Sequence, residues 1–290
     1  MHLAEIRKVQ YNLWLLVLVL TISSGFVFLL ITRSFETYSY ATASVEKSIS
    51  ELKSAITLGE RRTEPLVLPI LVYHYVENVT DKRDTIRQSL SISPQVFESQ
   101  ILTLLTRGYE PVTISQISDY FIGRTELPEK PVVLSFDDGY HDFYTDVFPI
   151  LVRYHVPAVL YLTSGSLDST QNYLTTDQIL EISQKKLVEI NSHSITHPDL
   201  RLIPLDQVRF EIRNGKVVLE KLIGRSVEHF AYPFGKYTPE LIHEVEKAGF
   251  KTAATTDFGT LQSYQDRYEL KRIRPGNLTG QALLEYLQRR

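Results

Sequence analysis

The sequence predicts an α/β fold built on parallel strands and preceded by one transmembrane helix. Three observations predict it. From Pro65 nearly to the C-terminus, short apolar runs rich in β-branched and aromatic residues alternate with amphipathic stretches, the order of repeated strand–helix units. Gly, Pro, Ser and Thr punctuate the runs where strands turn and helices begin. Leu13–Ile31 contains no charged residue, matching the roughly 20 apolar residues that cross a bilayer.

The N-terminal element comes first. Arg7 and Lys8 precede the apolar run, and Tyr11 and Trp14 stand where an interfacial aromatic belt would lie. The basic flank favours a cytoplasmic N-terminus with the rest of the chain outside. A cleaved signal peptide has a shorter apolar core of about 7–15 residues and a small-residue site directly after it. Here Ile31-Thr32-Arg33 makes a poor site, and Ala41-Thr42-Ala43 lies too far downstream. The expected organisation is therefore a cytoplasmic tip and anchor at 1–32, a polar stalk at 33–64, and one extracytoplasmic domain at 65–290, held at the cell membrane.

Within the domain, strands are expected at Pro69–Tyr75, Pro131–Phe136, Ala158–Thr163, Leu187–Ser192, His229–Tyr232 and Phe250–Thr255. Helices are expected between them. Ser93-Pro94 opens one that Gly108 closes; Asp142–Tyr154, Thr176–Ser183 and Leu205–Leu222 follow; Thr238-Pro239 opens the last, which ends at Gly249. The pattern alone leaves both a barrel and an open sheet in play.

Composition narrows the chemistry. A net charge of −3 over 290 residues provides no basic field for nucleic acid, which is not an expected partner. With no cysteine in the chain, disulfides, thiolate ligands and a cysteine nucleophile are excluded. Neither a Gly-rich phosphate loop nor a G-x-S-x-G elbow occurs.

Two local motifs remain. Asp137 and Asp138, followed by Gly139, end a very apolar strand, the place where α/β folds put their active sites. Adjacent residues on an extended chain point opposite ways, so two roles are expected, one carboxylate binding a metal and the other taking a proton. Asp-Asp-Gly is also good turn chemistry. His193 and His197 follow another strand at a spacing of four, which sets both imidazoles on one side. Two histidines and a carboxylate form the three-ligand, open-position site of a hydrolytic zinc enzyme. His141 is a lesser cleft candidate, while His155, His229 and His243 read as structural or exposed.

These residues resemble the polysaccharide deacetylases, family 4 carbohydrate esterases. The first motif reads Ser135-Phe136-Asp137-Asp138-Gly139, the second His193-Ser194-Ile195-Thr196-His197, and the third Ala231-Tyr232-Pro233-Phe234-Gly235. The resemblance covers about 65–277. It implies a distorted (β/α) barrel, with Asp137 as catalytic base and Asp138, His193 and His197 as ligands of a divalent metal ion, zinc in the first instance. It also implies the Phe234 N–H as an oxyanion donor. Two departures follow. The third-motif arginine is replaced by Ala231, leaving Arg272 and Arg274 as candidates to orient the base. The late L-x-H motif that supplies the general acid is missing, since no histidine follows His243. His74, in Leu71-Val72-Tyr73-His74-Tyr75, can fill that place if a barrel strand has moved from last position to first. That order looks like the deacetylases of biofilm poly-N-acetylglucosamine.

The resemblance implies hydrolysis of N-acetyl groups on an N-acetylglucosamine-containing polysaccharide, with release of acetate. Peptidoglycan deacetylation, polysaccharide O-acetyl ester hydrolysis and non-catalytic carbohydrate binding are the competing expectations.

Overall fold

The computed structural model describes residues 14–15, 61–81 and 83–289. The expected anchor and stalk lie outside the described residues, apart from Trp14, Leu15 and 61–64; no helix among the described residues is long and apolar enough to cross a membrane.

Seven parallel strands form the domain's centre: β1 (Ile70–Tyr73), β2 (Pro131–Phe136), β3 (Ala158–Leu162), β4 (Val188–Ser192), β5 (His229–Ala231), β6 (Thr252–Phe258) and β7 (Leu270–Arg272). Each pairs with the next in chain order. The ring closes through a narrow seam, where Val72 N–H donates to Ile273 O at 3.0 Å and Ile273 N–H donates to Ile70 O at 2.9 Å. The result is a distorted (β/α) barrel.

Around it run α1 (Thr85–Leu90), α2 (Pro94–Thr106), α3 (Ile114–Phe121), α4 (Phe148–Tyr154), α5 (Thr176–Gln184), α6 (Leu205–Ile223), α7 (Pro239–Lys247) and α8 (Gly280–Leu287). Their starts are chemically specified. Ser93 caps α2 by accepting from Val96 N–H ahead of Pro94, and Thr238 caps α7 by accepting from Leu241 N–H ahead of Pro239. Thr113 and Thr175 form capping boxes with Gln116 and Gln178. Each cap satisfies a donor the first helical turn would otherwise leave unpaired.

The two-residue period of the strands divides the core. Ile70, Val133, Val159, Tyr161, Ala231, Ala254 and Leu270 fill the barrel. Their neighbours Leu71, Leu134, Leu160, Phe230 and Ala253 face the helices. Carried past the strand ends, the inward register falls on His74, Asp137, His193 and Arg272, so one mouth of the barrel collects them.

The expectations need four corrections. The strand expected at Phe250–Thr255 runs Thr252–Phe258, because the chain is still turning out of α7 at Gly249, whose φ is +80°. The helix expected at Asp142–Tyr154 starts as a π turn, Phe143–Val147, before α4 begins. Strand β7 spans three residues, too few to show alternation. Helices α1, α3 and α8, each of eight residues or fewer, were likewise not anticipated, being too short to establish a helical period.

Candidate active site

The mouth of the barrel is a cleft of about 400 Å³, with His74, Asp137, Asp138, Tyr140, Tyr173, His193, His197 and Phe234 in its lining. Residues from the ends of β1, β2, β4 and β5, with Tyr173 from a loop, thus converge on one space.

Asp137 continues β2 inward and is 3% exposed. Arg272, from β7, meets it with both guanidinium tips: Nη1 donates to Oδ1 and Nη2 to Oδ2, each at 2.8 Å. The Arg272 Nε–H donates to Thr255 O at 2.7 Å, which aims the fork. Burial alone would raise the Asp137 pKa, but the Arg272 guanidinium outweighs it through its charge and its paired hydrogen bonds and holds the carboxyl well below the usual range. Of the two candidate arginines, Arg272 makes this contact. Arg274, two residues on, is exposed.

Asp138 turns the opposite way. It has φ +73°, followed by Gly139 at +81°, a left-handed pair that swings the second carboxylate round to the histidines. Its Oδ1 lies 3.6 Å from His193 Nε2 and 3.5 Å from His197 Nε2. Those spacings are long for hydrogen bonds but suit donors sharing a tetrahedral ion, which at metal–ligand distances of about 2.0–2.2 Å sit roughly 3.4 Å apart. One donor atom from each of the three side chains falls within 4.8 Å of the others. His193 Nδ1 lies 2.7 Å from Ala231 O. A carbonyl only accepts, so the proton is on Nδ1 and the Nε2 lone pair is free for a metal. Burial lowers the pKa of both histidines, keeping them neutral as ligands must be. Burial likewise raises that of Asp138, and the neighbouring Asp137 charge adds to the rise. A carboxylate under that pressure, facing the free Nε2 lone pair of His193 and the Nε2 of His197, fits a divalent cation.

His74 follows β1 and lines the same cleft. Its Nδ1 is buried, with no hydrogen-bond partner among the described residues. Burial pushes its pKa down to about 4, opposed by the Asp137 charge and helped by Arg274 and Arg272, so in the free site it is neutral at pH 7. Phe234 has φ +58°, and its ring meets His197 edge-on at 4.5 Å between centroids. Of the seven non-glycine residues at positive φ among the described residues, Asp138, Ser194, His197 and Phe234 belong to the motif loops, where backbone strain is held by the surrounding structure.

His141 is half-buried and absent from the cleft lining, while His155 and His243 are exposed. His229 is buried at the opposite end of the barrel, with Nε2 3.1 Å from Ser115 Oγ and Nδ1 2.9 Å from Thr252 Oγ1. Sequence reasoning missed the cleft's aromatic wall. Tyr140 stacks on Tyr75 at 3.9 Å and on Tyr173 at 5.2 Å. Tyr140 was findable, since it directly follows the Asp-Asp-Gly motif; Tyr173, in a loop, carries no local signal.

Fold and site define a class: a (β/α)-barrel hydrolase with a paired carboxylate and an Asp-His-His set at the barrel mouth. Comparison with known proteins makes the class specific. The family described as polysaccharide deacetylase matches residues 124–253. YxkH of Bacillus subtilis, assigned as a polysaccharide deacetylase, is 30% identical over 227 residues, covering 78% of this chain and 77% of that protein. The poly-beta-1,6-N-acetyl-D-glucosamine N-deacetylase of Escherichia coli is 30% identical over 217 residues, covering 61% of this chain and 32% of that protein; the match spans about a third of the relative. Among solved structures, the Streptococcus pyogenes deacetylase PplD in complex with acetate superposes with a TM-score of 0.72 at 26% identity, covering 78% of this chain and all of that one. The chain belongs to the polysaccharide deacetylase family and is a hydrolase of that family.

Proposed function

We propose that the protein is a zinc-dependent N-deacetylase of a poly-N-acetylglucosamine-type polysaccharide, working at the outer face of the cell membrane. The observation that carries the chemistry is the convergence of Asp138, His193 and His197 beside the Asp137–Arg272 pair. The substrate reading is supported by the poly-beta-1,6-N-acetyl-D-glucosamine N-deacetylase relative. The location is supported by the uncharged run Leu13–Ile31 behind Arg7 and Lys8.

Asp138, His193 and His197 would hold the ion, which would supply Lewis-acid polarisation of the acetamide carbonyl and acidification of a water. Asp137 removes a proton from the attacking water. Phe234 lines the cleft, and its N–H would donate to the oxyanion of the tetrahedral intermediate, where a fixed dipole counts most. His74 delivers a proton to the departing amine, a poor leaving group unless protonated. Since His74 is neutral in the free site, it acquires that proton during the reaction. Asp137, held far below the usual carboxylate range, is a strong acid once protonated and passes its proton on readily.

Acetate release by the purified full chain, zinc-loaded, tests this on poly-beta-1,6-N-acetylglucosamine oligomers, N-acetylated peptidoglycan and an O-acetylated polysaccharide. Release from the first in preference to the others is expected. Preference for peptidoglycan or for the O-acetyl ester would overturn the substrate, and release from none of the three would overturn the enzyme reading. Cell fractionation with protease added to intact cells tests the location; a domain that stays protected rules out the outer face.

A further inference from the structure

The loop carrying His193 and His197 is held in an unfavourable shape, with Ser194 at φ +67° and His197 at φ +57°. Such backbone persists only where its surroundings fix it. One side is fixed by the turn after β3: Ser164 N–H donates to Ser194 O at 3.1 Å and Gly165 N–H to Ile195 O at 2.8 Å. The other side is fixed by a single side chain on α6. Glu211 Oε2 accepts the Ile195 N–H at 2.8 Å and the Thr196 N–H at 2.9 Å, while Oε1 accepts the Thr196 hydroxyl at 2.6 Å.

Glu211 is out of place by packing rules. It lies on the buried face of α6 with Val208, Ile212, Gly215 and Leu219 and is 7% exposed. A carboxylate there is costly unless its oxygens are satisfied. All three donors that satisfy it come from the loop. Gly215, four residues on, brings the helix close, since a Cβ at that position would stand 3.0 Å from the Ser194 carbonyl carbon. The two residues gripped are two of the three between the histidines, whereas Asp138 arrives from a different strand. Whatever fixes Ile195 and Thr196 therefore fixes both imidazoles relative to the third ligand.

We propose that Glu211 is a positioning residue for the metal site, setting the geometry of His193 and His197 through the Ile195–Thr196 backbone; the inference rests on the metal-site reading above. Its action is geometric. In Glu211→Gln the amide oxygen can accept both backbone N–H groups and the amide NH₂ can donate to the Thr196 hydroxyl, so the clamp survives without the charge. In Glu211→Ala the Ile195 and Thr196 N–H groups lose their acceptor, and only the β3-side contacts still hold the loop.

The test is zinc titration of the chelator-stripped full chain, read by a competing dye, together with the melting temperature of each metal-free variant. Leu219→Ala, a buried apolar truncation on the same helix, controls for loss of stability. Glu211→Ala should weaken zinc binding about 10- to 100-fold, the usual cost of losing a residue that orients metal ligands. Glu211→Gln should stay within a few-fold of the parent. Leu219→Ala should melt earlier yet keep the parent's affinity. Parental affinity in Glu211→Ala, a loss no larger than that of Leu219→Ala, or an equal loss in Glu211→Gln would each overturn the positioning role. A parent chain that binds no zinc would instead overturn the metal-site reading itself.

Discussion

Arg272 grips Asp137 with two parallel hydrogen bonds of 2.8 Å, and both residues are almost wholly buried, at 2% and 3% exposure. The pair joins the last barrel strand to the second, across the seam that closes the ring. Removing one partner leaves an uncompensated buried charge. Arg272→Met should therefore cost about 3–5 kcal/mol of stability and lower turnover at least ~10²-fold, because the carboxylate loses its aim. Arg272→Lys cannot reproduce the fork and should fail similarly in turnover. Joining Asp137→Leu to Arg272→Met should recover stability without recovering activity. Thermal melts and turnover on one acetamide substrate check this; a double variant as unstable as the single one would show that Arg272 acts through Thr255 alone.

The three-ligand set predicts about one equivalent of zinc per chain. Chelation should abolish acetate release, and added zinc should restore it. His197 is a quarter exposed, so His197→Ala should lose metal with little change in the metal-free melting temperature. Elemental analysis beside a melt measures both, and undiminished activity in a metal-free preparation would remove the ion from the mechanism.

How legible each part was follows from distance along the chain. Asp137 with Asp138, and His193 with His197, are local pairs directly after strands, so spacing and position could speak for them. Arg272 was visible only as one of two candidates, because its partner lies 135 residues away across a ring whose last strand is three residues long. Arg274 shares its inward register but stands one pleat further out, in solvent. His74 was placed by reasoning about the cyclic order of a barrel, and the seam from Ile70 and Val72 to Ile273 puts β1 beside β7 as that reasoning required. Glu211 could not be found, since a single acid in an amphipathic helix reads as a surface residue until the helix is docked.

Asp142 gives a prediction about pH. It is 6% exposed. Its Oδ2 accepts the Val76 N–H at 2.6 Å, and its Oδ1 has no partner among the described residues. Burial pushes its pKa up to about 7, against a pull from the Val76 N–H. The folded protein therefore keeps a proton that the unfolded chain releases near pH 3.8. Below that both states are protonated and Asp142 contributes no pH dependence. As pH rises towards 7 the unfolded state is progressively favoured, by a few kcal/mol in total. Asp142→Asn keeps an acceptor for Val76 and never ionises. Its melting temperature should match the parent's near pH 4 and exceed it at pH 8. Buried histidines give the parent an opposite, acid-side loss, but they are common to both chains and cancel in the comparison. A difference that does not grow between pH 4 and 8 would rule out an elevated Asp142.

His74 decides whether the general acid has been found. Loss of general acid help costs roughly 10²–10⁴-fold in rate, so His74→Ala should cut turnover on an acetamide by that order while leaving metal content unchanged. On an activated aryl ester the deficit should shrink, because a phenolate departs without a proton. That contrast separates an acid from a packing residue, which would lower the melting temperature and harm both substrates alike. The pH profile adds an independent reading. With its pKa pushed down to about 4 in the free site, a His74 that had to be charged before substrate bound would make kcat/KM fall tenfold per pH unit above that value. A His74 that receives its proton within the complex produces no such fall between pH 5 and 7, and this flat profile is the expected one. Equal losses on amide and ester, with an earlier melt, would take His74 out of the mechanism and leave its unpartnered Nδ1 as a feature of packing alone.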